Sequence, residues 1–370
     1  MTKYNENNER IKRKYLVFLK QAKGQNEASI DAVAKAISRF ETYSQCRDFK
    51  QFHYEQAIGF KRHLVKQKHH RTGQALSMAT LNSTVRHLKA FIEWLSREVG
   101  YKSRINYSDA EYFNLSDKNA RIAKAKRSKK VPTLEQVKHV LDTMPNNTAI
   151  ERRNRALIAF TLLTGARDSA IASFKLKHVD FNAGSVFQDA RQVNTKNSKS
   201  FMTYFFPVGE EVLAIVEDWL KYLKVELLFG NDDPLFPKSL IGNGAGQSFE
   251  VVGLAKEHWT TANAIRGVFK QAFLGAGLDY YSPHVFRNLL AKLAQTSCQT
   301  PEQFKAWSQN LGHANVLTTF FSYGEVQVDR QGEIIESMKT PFAAEGTGSE
   351  VDLIAQAVVD KLNAENERKP

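Results

Sequence analysis

Two cysteines in 370 residues, Cys46 and Cys298, leave no material for a disulfide framework, and they lie too far apart in sequence to form a paired-cysteine metal site. A reducing compartment suits such a chain. The histidine pair in KQKHHRTGQ (residues 66–74) has no cysteine or acid at ligand spacing and reads as a solvated loop beside a basic face. No apolar run approaches the roughly 20 residues that a membrane-spanning helix needs. The opening MTKYNENNERIKRK is polar and basic and lacks the pattern of a signal peptide. The expectation is a soluble, cytoplasmic protein with no membrane partner. Its length suits two domains of ordinary size, each able to fold on its own core.

Acid is the most unevenly missing commodity. Residues 1–132 hold 28 Lys and Arg against 12 Asp and Glu, whereas residues 133–340 hold 21 of each and residues 341–370 hold 3 against 6. The net charge of +13 therefore resides in the first third. A domain that cationic calls for a polyanionic partner, nucleic acid first among them.

That third reads as helices. In SMATLNSTVRHLKAFIEWLSREVG (residues 77–100), Leu81, Val85, Leu88, Ile92 and Leu95 recur at steps of four and three, one apolar stripe. Ser77 is the expected N-cap and Gly100 the expected stop. Arg86, Lys89 and Arg97 lie off the stripe. Segments 8–22, 28–43 and 54–68 also have helical patterning, giving a helical domain over residues 1–115. An extended basic linker, 116–132, follows; its RIAKAKRSKKVP (residues 121–132) has six basic residues, no acids and a terminal proline.

A second domain is expected over 133–340, with a tail over 341–370. Thr133 and Gln136 form a capping box ahead of the next helix. A hydrophobic helix covers 156–163. Strands are expected at 185–193 and 201–208 around the polar turn NTKNSKS (residues 194–200). The remainder is mostly helical, giving a mainly α fold with a small β-sheet. After the Gly/Glu hinge AAEGTGSE (residues 343–350), an amphipathic stretch, VDLIAQAVVDKL, puts Val351, Ile354, Val358 and Leu362 on one face.

Four places in the second domain suit phosphate chemistry. TGAR (residues 164–167) ends an apolar helix at a glycine and delivers Arg167. The strand turn offers Lys196 and Lys199. SPHVFRN (residues 282–288) puts His284 and Arg287 three apart, on one helical face. LGH (residues 311–313) permits a left-handed cap at Gly312, freeing His313, with Tyr323 ten residues further on. Each is ordinary by itself.

In this order and at domain-scale spacing, the set resembles the tyrosine recombinase family, the phage integrase type. The resemblance covers the whole second domain and extends to the first through SMATLNSTVRHLKAFIEWL, which is similar to the last long helix of that family's core-binding domain. It implies a C-shaped clamp on double-stranded DNA recombination sites, a homotetramer and, in some systems, accessory DNA-bending proteins. Arg167 and Arg287 are implied to bind the non-bridging oxygens of the scissile phosphate, His284 and His313 to contact it and assist proton transfer, Lys196 to protonate the leaving 5′ oxygen, and Tyr323 to attack. Arg71, Arg86 and Lys89 are the expected DNA contacts of the first domain.

The chemistry is consistent with these roles. Guanidinium groups stay charged and bind developing oxyanions bidentately. A phenol with an unperturbed pKa of about 10 needs a base or a cationic field to attack at neutral pH. No acidic cluster has metal-ligand spacing, and two arginines with a lysine carry the charge a divalent ion would bring, so a transesterification without cofactor is expected.

Two departures stand out. The family usually places its tyrosine one residue earlier, where this chain has Ser322, a rival hydroxyl. It commonly has a glutamate where this chain has Ala170, which leaves Asp168 as a candidate to orient Arg167. The leading reading is a site-specific recombinase, most simply the integrase of a phage or other mobile element. A topoisomerase-like relaxing enzyme and a DNA-binding protein of the same fold that has lost catalysis are the alternatives. The segments GEVQVDRQGEIIESM (residues 324–338) and 351–362 are the candidates for contact with a neighbouring subunit.

Overall fold

Side-chain caps start most helices of the first unit, and apolar stripes bury them. The computed structural model describes residues 4–69, 72–125, 130–243, 249–313 and 331–333. The chain divides into two units, Met1–Arg127 and Ser128–Pro370. In the first, α1 (Glu6–Gln21), α2 (Glu27–Tyr43), α4 (Met78–Leu95) and α5 (Asp117–Lys124) begin at Asn5, Asn26, Ser77 and Ser116, whose side chains accept a backbone N–H of the first turn. Helix α3 (Tyr54–Lys66) lies between them in sequence. All five stripe residues of α4 are at most 3% exposed. They close over an aromatic core in which Phe40 meets Phe49, Phe52, Phe60 and Phe113 at centroid distances of 5.3–6.5 Å. The buried Asn8 is fully satisfied. Its Oδ1 accepts from Phe49 N at 3.0 Å and its Nδ2 donates to Arg47 O at 2.8 Å, fixing α1 against that turn.

Several boundaries differ from the expectation: the strands expected at 185–193 and 201–208 end at Gln188 and Tyr204, and two differ in the first unit. Helix α4 ends at Leu95 with Ser96 as its cap, and Gly100, at φ +84°, lies in the turns beyond. The apolar stripe itself ends at Leu95, so the core and not the glycine sets the length. The stretch expected to be an extended linker begins instead as α5, capped by Ser116. Residues 126–129 lie outside the described residues.

The second unit opens with the expected capping box. Thr133 Oγ1 accepts from Gln136 N at 3.1 Å, and Gln136 Oε1 accepts from Thr133 N at 2.9 Å, starting α6 (Leu134–Thr143). Helix α7 (Ala149–Thr164) is buried without interruption from Ala156 to Thr164 and forms the axis of the core. A short helix α8 (Asp168–Ile171) follows. Then comes an antiparallel sheet in the order β1 (Val179–Asp180), β2 (Ser185–Gln188), β3 (Phe201–Tyr204), with Val186 paired to Val179 and to Thr203. Lys196–Ser198 form a 3₁₀ turn between β2 and β3. Helix α9 (Glu210–Lys221) leads to a hairpin, β4 (Ser239–Asn243) and β5 (Phe249–Leu254). Helices α10 (Asn263–Gly275), α11 (Pro283–Ser297) and α12 (Pro301–Asn310) complete the described part. Neither β1 nor the β4–β5 hairpin was expected. The first is two residues long, and the second carries a bulge at Leu240/Ile241 that breaks strict alternation.

Arg153 of α7 is 3% exposed and its pKa is pushed down by burial to about 10. No carboxylate pairs with it among the described residues. Nη1 donates to Pro237 O at 2.9 Å and to Ser239 Oγ at 3.1 Å, and the guanidinium lies 5.0 Å from the Trp259 ring centroid. It thereby ties the base of the hairpin to the central helix. Arg153→Met should retain the stem but leave the Pro237 carbonyl buried and unpaired. The expected cost is roughly 1–3 kcal/mol of unfolding free energy, read by urea denaturation, with faster amide exchange in β4 and β5.

Candidate active site

Two left-handed glycines bring the candidate residues together. Helix α7 ends at Gly165, φ +57°. A Cβ at Gly165 would stand 2.9 Å from both Leu290 Cδ1 and Leu311 Cδ2, so conformation and packing both demand glycine. Helix α12 ends in a Schellman motif: Gly312 N donates to Gln309 O at 2.7 Å and His313 N to Ser308 O at 3.2 Å. Gly312 has φ +68°, and a Cβ there would lie 2.6 Å from Phe201 Cζ on β3. The end of α12 is further held by Asn310. Its side chain takes both backbone groups of Tyr204, accepting from N at 2.6 Å and donating to O at 2.8 Å. His313 therefore leaves α12 on a fixed path beside β3. Asn310 carried no sequence signal, because its partner lies 106 residues away.

Arg287, on α11, is 4% exposed. Nη1 donates to Gly165 O at 2.6 Å, Nη2 donates to Leu311 O, and Nη2 also approaches His313 Nε2 at 3.1 Å. Both carbonyls belong to helix C-caps, of α7 and α12. These ends carry partial negative charge, so they favour a cation without neutralising it. Burial first, and the charge of Arg167 second, lower the Arg287 pKa to about 9, leaving it cationic at neutral pH.

His313 is the acceptor in the contact with Arg287, so its Nε2 carries no proton there. Its pKa falls to about 4, first through burial and then through the charges of Arg287, Arg167, His284 and Lys196. The charges of all four act on it, so five of the six expected catalytic residues lie within electrostatic range of one another's site at His313. Arg167 is half-buried as the N-cap of α8, and burial lowers its pKa. Neither the Arg167 nor the Lys196 side chain has a hydrogen-bond or ion-pair partner among the described residues. His284, in the first turn of α11 after Pro283, is exposed while its neighbours Pro283, Val285 and Phe286 are buried. Lys196 and Lys199 begin and follow the turn between β2 and β3, and both are exposed.

The sixth residue, Tyr323, lies outside the described residues, as do its rival Ser322, Arg71, segment 351–362 and, apart from residues 331–333, segment 324–338. Ala170 is buried against the core at 1% exposure. Asp168 does not engage Arg167. Its Oδ2 accepts instead from Nε of Arg266 on α10 at 2.7 Å and is ion-paired with Nη2 at 2.7 Å. Of the other expected DNA contacts, Arg86 is exposed on α4. Lys89 is held by Glu111 Oε2 at 2.8 Å and Asn114 Oδ1 at 3.2 Å, so its charge is already paired.

The sign of the His313 shift gives a stability prediction. Unfolded, this histidine titrates near 6.5; folded, near 4. Between those values the unfolded chain binds more protons, so acidification favours unfolding, and above 6.5 the effect is absent. His313→Gln removes it. Relative to wild type, the variant should gain stability as pH falls from 6.5 to about 4, measured as the difference in urea midpoints across that range.

Residues 130–330 match the model of the phage integrase family. The tyrosine recombinase XerC of Lactobacillus leichmannii is 25% identical over 251 residues, covering 67% of this chain and 72% of that protein. XerC of Shewanella amazonensis is 27% identical over 253 residues, covering 66% and 70%. Among solved structures, the XerH site-specific recombinase bound to a palindromic difH substrate superposes with a TM-score of 0.57 at 16% identity, covering 87% of this chain and 82% of that one. The lambda integrase (75–356) dimer bound to a COC′ core site gives 0.57 at 12% identity, covering 86% and 99%. At these identities the structural likeness establishes the fold. Together with the family match over more than half of its length, it places the chain: it belongs to the phage integrase family, the tyrosine recombinases, which cleave and rejoin DNA strands.

Proposed function

We propose that the cluster around Arg287 binds a scissile DNA phosphate and that Tyr323 attacks it, forming a covalent 3′-phosphotyrosine. The observation that carries this reading is a set of cations with no carboxylate among them. The charges of Arg167, Arg287 and Lys196 all act on His313, Arg287 Nη2 at 3.1 Å from its Nε2, and no acidic side chain pairs with any of the three among the described residues. Such a set of cations suits an anionic ligand. Arg167 and Arg287 hydrogen-bond the two non-bridging oxygens, where charge grows as the phosphorus becomes five-coordinate. Fixed donors of this kind supply roughly 3 kcal/mol each to the transition state. His284 and His313 contact the same phosphate; with its Nε2 accepting from Arg287, a neutral His313 has Nδ1–H to donate. Lys196 gives its proton to the departing 5′ oxygen. The phosphotyrosine preserves the bond energy, so a 5′ hydroxyl attacking it reseals the strand.

At the level of the whole molecule, the protein acts on recombination sites in double-stranded DNA, as a homotetramer, in integration or excision of a mobile element, with bending proteins assisting where the site requires them. Arg86 and Arg71 contact the phosphate backbone of the duplex; Lys89 joins them where DNA displaces its acidic partners. Segment 324–338 and the tail couple neighbouring subunits. Binding weakens steeply with salt as counterions are released.

A DNA site nicked beside the cleavage point loses its short product strand and cannot be resealed. On that substrate, wild type and Ser322→Ala should accumulate a covalent protein–DNA adduct on denaturing gels, and Tyr323→Phe should give none. An adduct with Tyr323→Phe, or its loss with Ser322→Ala alone, would reassign the nucleophile.

A further inference from the structure

We propose that Ser169 and Ser173 are positioning residues that hold the Lys196 loop in register with Arg167; the inference rests on the reading of Lys196 as the general acid. The two serines are four residues apart, on α8 and the turn that follows it. Ser169 Oγ donates to Asn194 O at 3.2 Å, and Ser173 Oγ accepts from Asn194 N at 2.9 Å. Both backbone groups of one residue are therefore taken by hydroxyls from one short element. Asn194 precedes Lys196 by two positions, and Arg167 is the N-cap of the same element. Lys196 itself is exposed, so its long side chain gets its direction from the backbone beneath it.

The element is clamped on its other side. Asp168 Oδ2 receives Nε and Nη2 of Arg266 at 2.7 Å, joining the first residue of α8 to α10. Asp168 Oδ1 accepts from Ser169 N at 2.9 Å. The chain of contacts runs from α10 through Asp168 and Ser169 to Asn194, with Arg167 at the start of α8 and Lys196 two residues after Asn194. Where Ala170 offers no polar side chain to orient Arg167, the Asp168–Arg266 pair fixes the element that bears it.

The consequence is chemically specific. As the tyrosine oxygen bonds to phosphorus, the bond from phosphorus to the 5′ oxygen breaks, its electron pair stays on that oxygen, and the proton comes from Lys196 Nζ. If the 5′ oxygen is replaced by sulfur, the thiolate leaves unprotonated, because its thiol titrates near 8.5. Losing the acid, or misplacing it, then costs nothing.

The test measures single-turnover cleavage of the two substrates, oxygen-linked and sulfur-linked, by wild type, Lys196→Ala, Arg167→Ala and the double variant Ser169→Ala/Ser173→Ala. The ratio of the two rates within one preparation cancels any difference in the active fraction. The double variant should be about 10–100-fold slower on the oxygen substrate, the scale of a misplaced catalytic group, and near wild type on the sulfur substrate. Lys196→Ala should be rescued in the same way, and Arg167→Ala should not. Equal slowing of the double variant on both substrates, or no slowing on either, would overturn the positioning role while Lys196→Ala is still rescued. If Lys196→Ala is not rescued, the lysine is not the acid, and the positioning role falls with it.

Discussion

A buried guanidinium held by helix ends is the interaction on which the site depends. Removing Arg287 from water costs several kcal/mol unless it is hydrogen-bonded. A carboxylate would meet that cost but would also cancel the charge. Here the carbonyls of Gly165 and Leu311 meet it, with His313 as a third acceptor. Helix C-termini favour a cation by up to about 2 kcal/mol in partly buried geometry, yet carry no full charge. The arginine is thus stable in the fold and still in need of an anion.

This one side chain also explains why distant parts of the chain converge. Its bonds reach 122 residues back to the end of α7 and 24 forward to the end of α12. Each carbonyl is presented by a helix that must stop at that point, and a left-handed glycine stops it. Gly165 lies too close to Leu290 and Leu311 for a side chain, and Gly312 too close to Phe201. Asn310, bonded to Tyr204, adds β3 to the arrangement, and with it the turn that bears Lys196. Stability and function are not separable here, because the contacts that bury Arg287 also place His313 and the sheet beside it.

Much of this was legible in the sequence where the physics is local. The α4 stripe, the Thr133–Gln136 capping box and the glycines of TGAR and LGH are patterns within a few residues, and they appear as expected. The candidate residues were named by their types and order. Contacts between residues remote in sequence were not legible. Asp168 was the plausible partner of Arg167 by adjacency, but Arg266, 98 residues away, takes it. Nothing local in the sequence marks Arg153, which anchors the hairpin through Pro237 and Ser239. The hairpin itself was hidden because its bulge and glycines blur the alternation that marks a strand. The early end of α4 has the same lesson: Gly100 permits a stop, but the last buried leucine decides it.

The central claim is that the fork of Arg287, and not merely its charge, organises the site. Arg287→Lys keeps a cation but cannot reach both helix ends and the phosphate at once. The direct measurement is the single-turnover cleavage rate of this variant alongside its affinity for the same DNA. The account predicts a rate loss of about 100-fold or more, the scale of losing one fixed oxyanion donor, with affinity nearly unchanged. A lysine variant that cleaves close to the wild-type rate would contradict it.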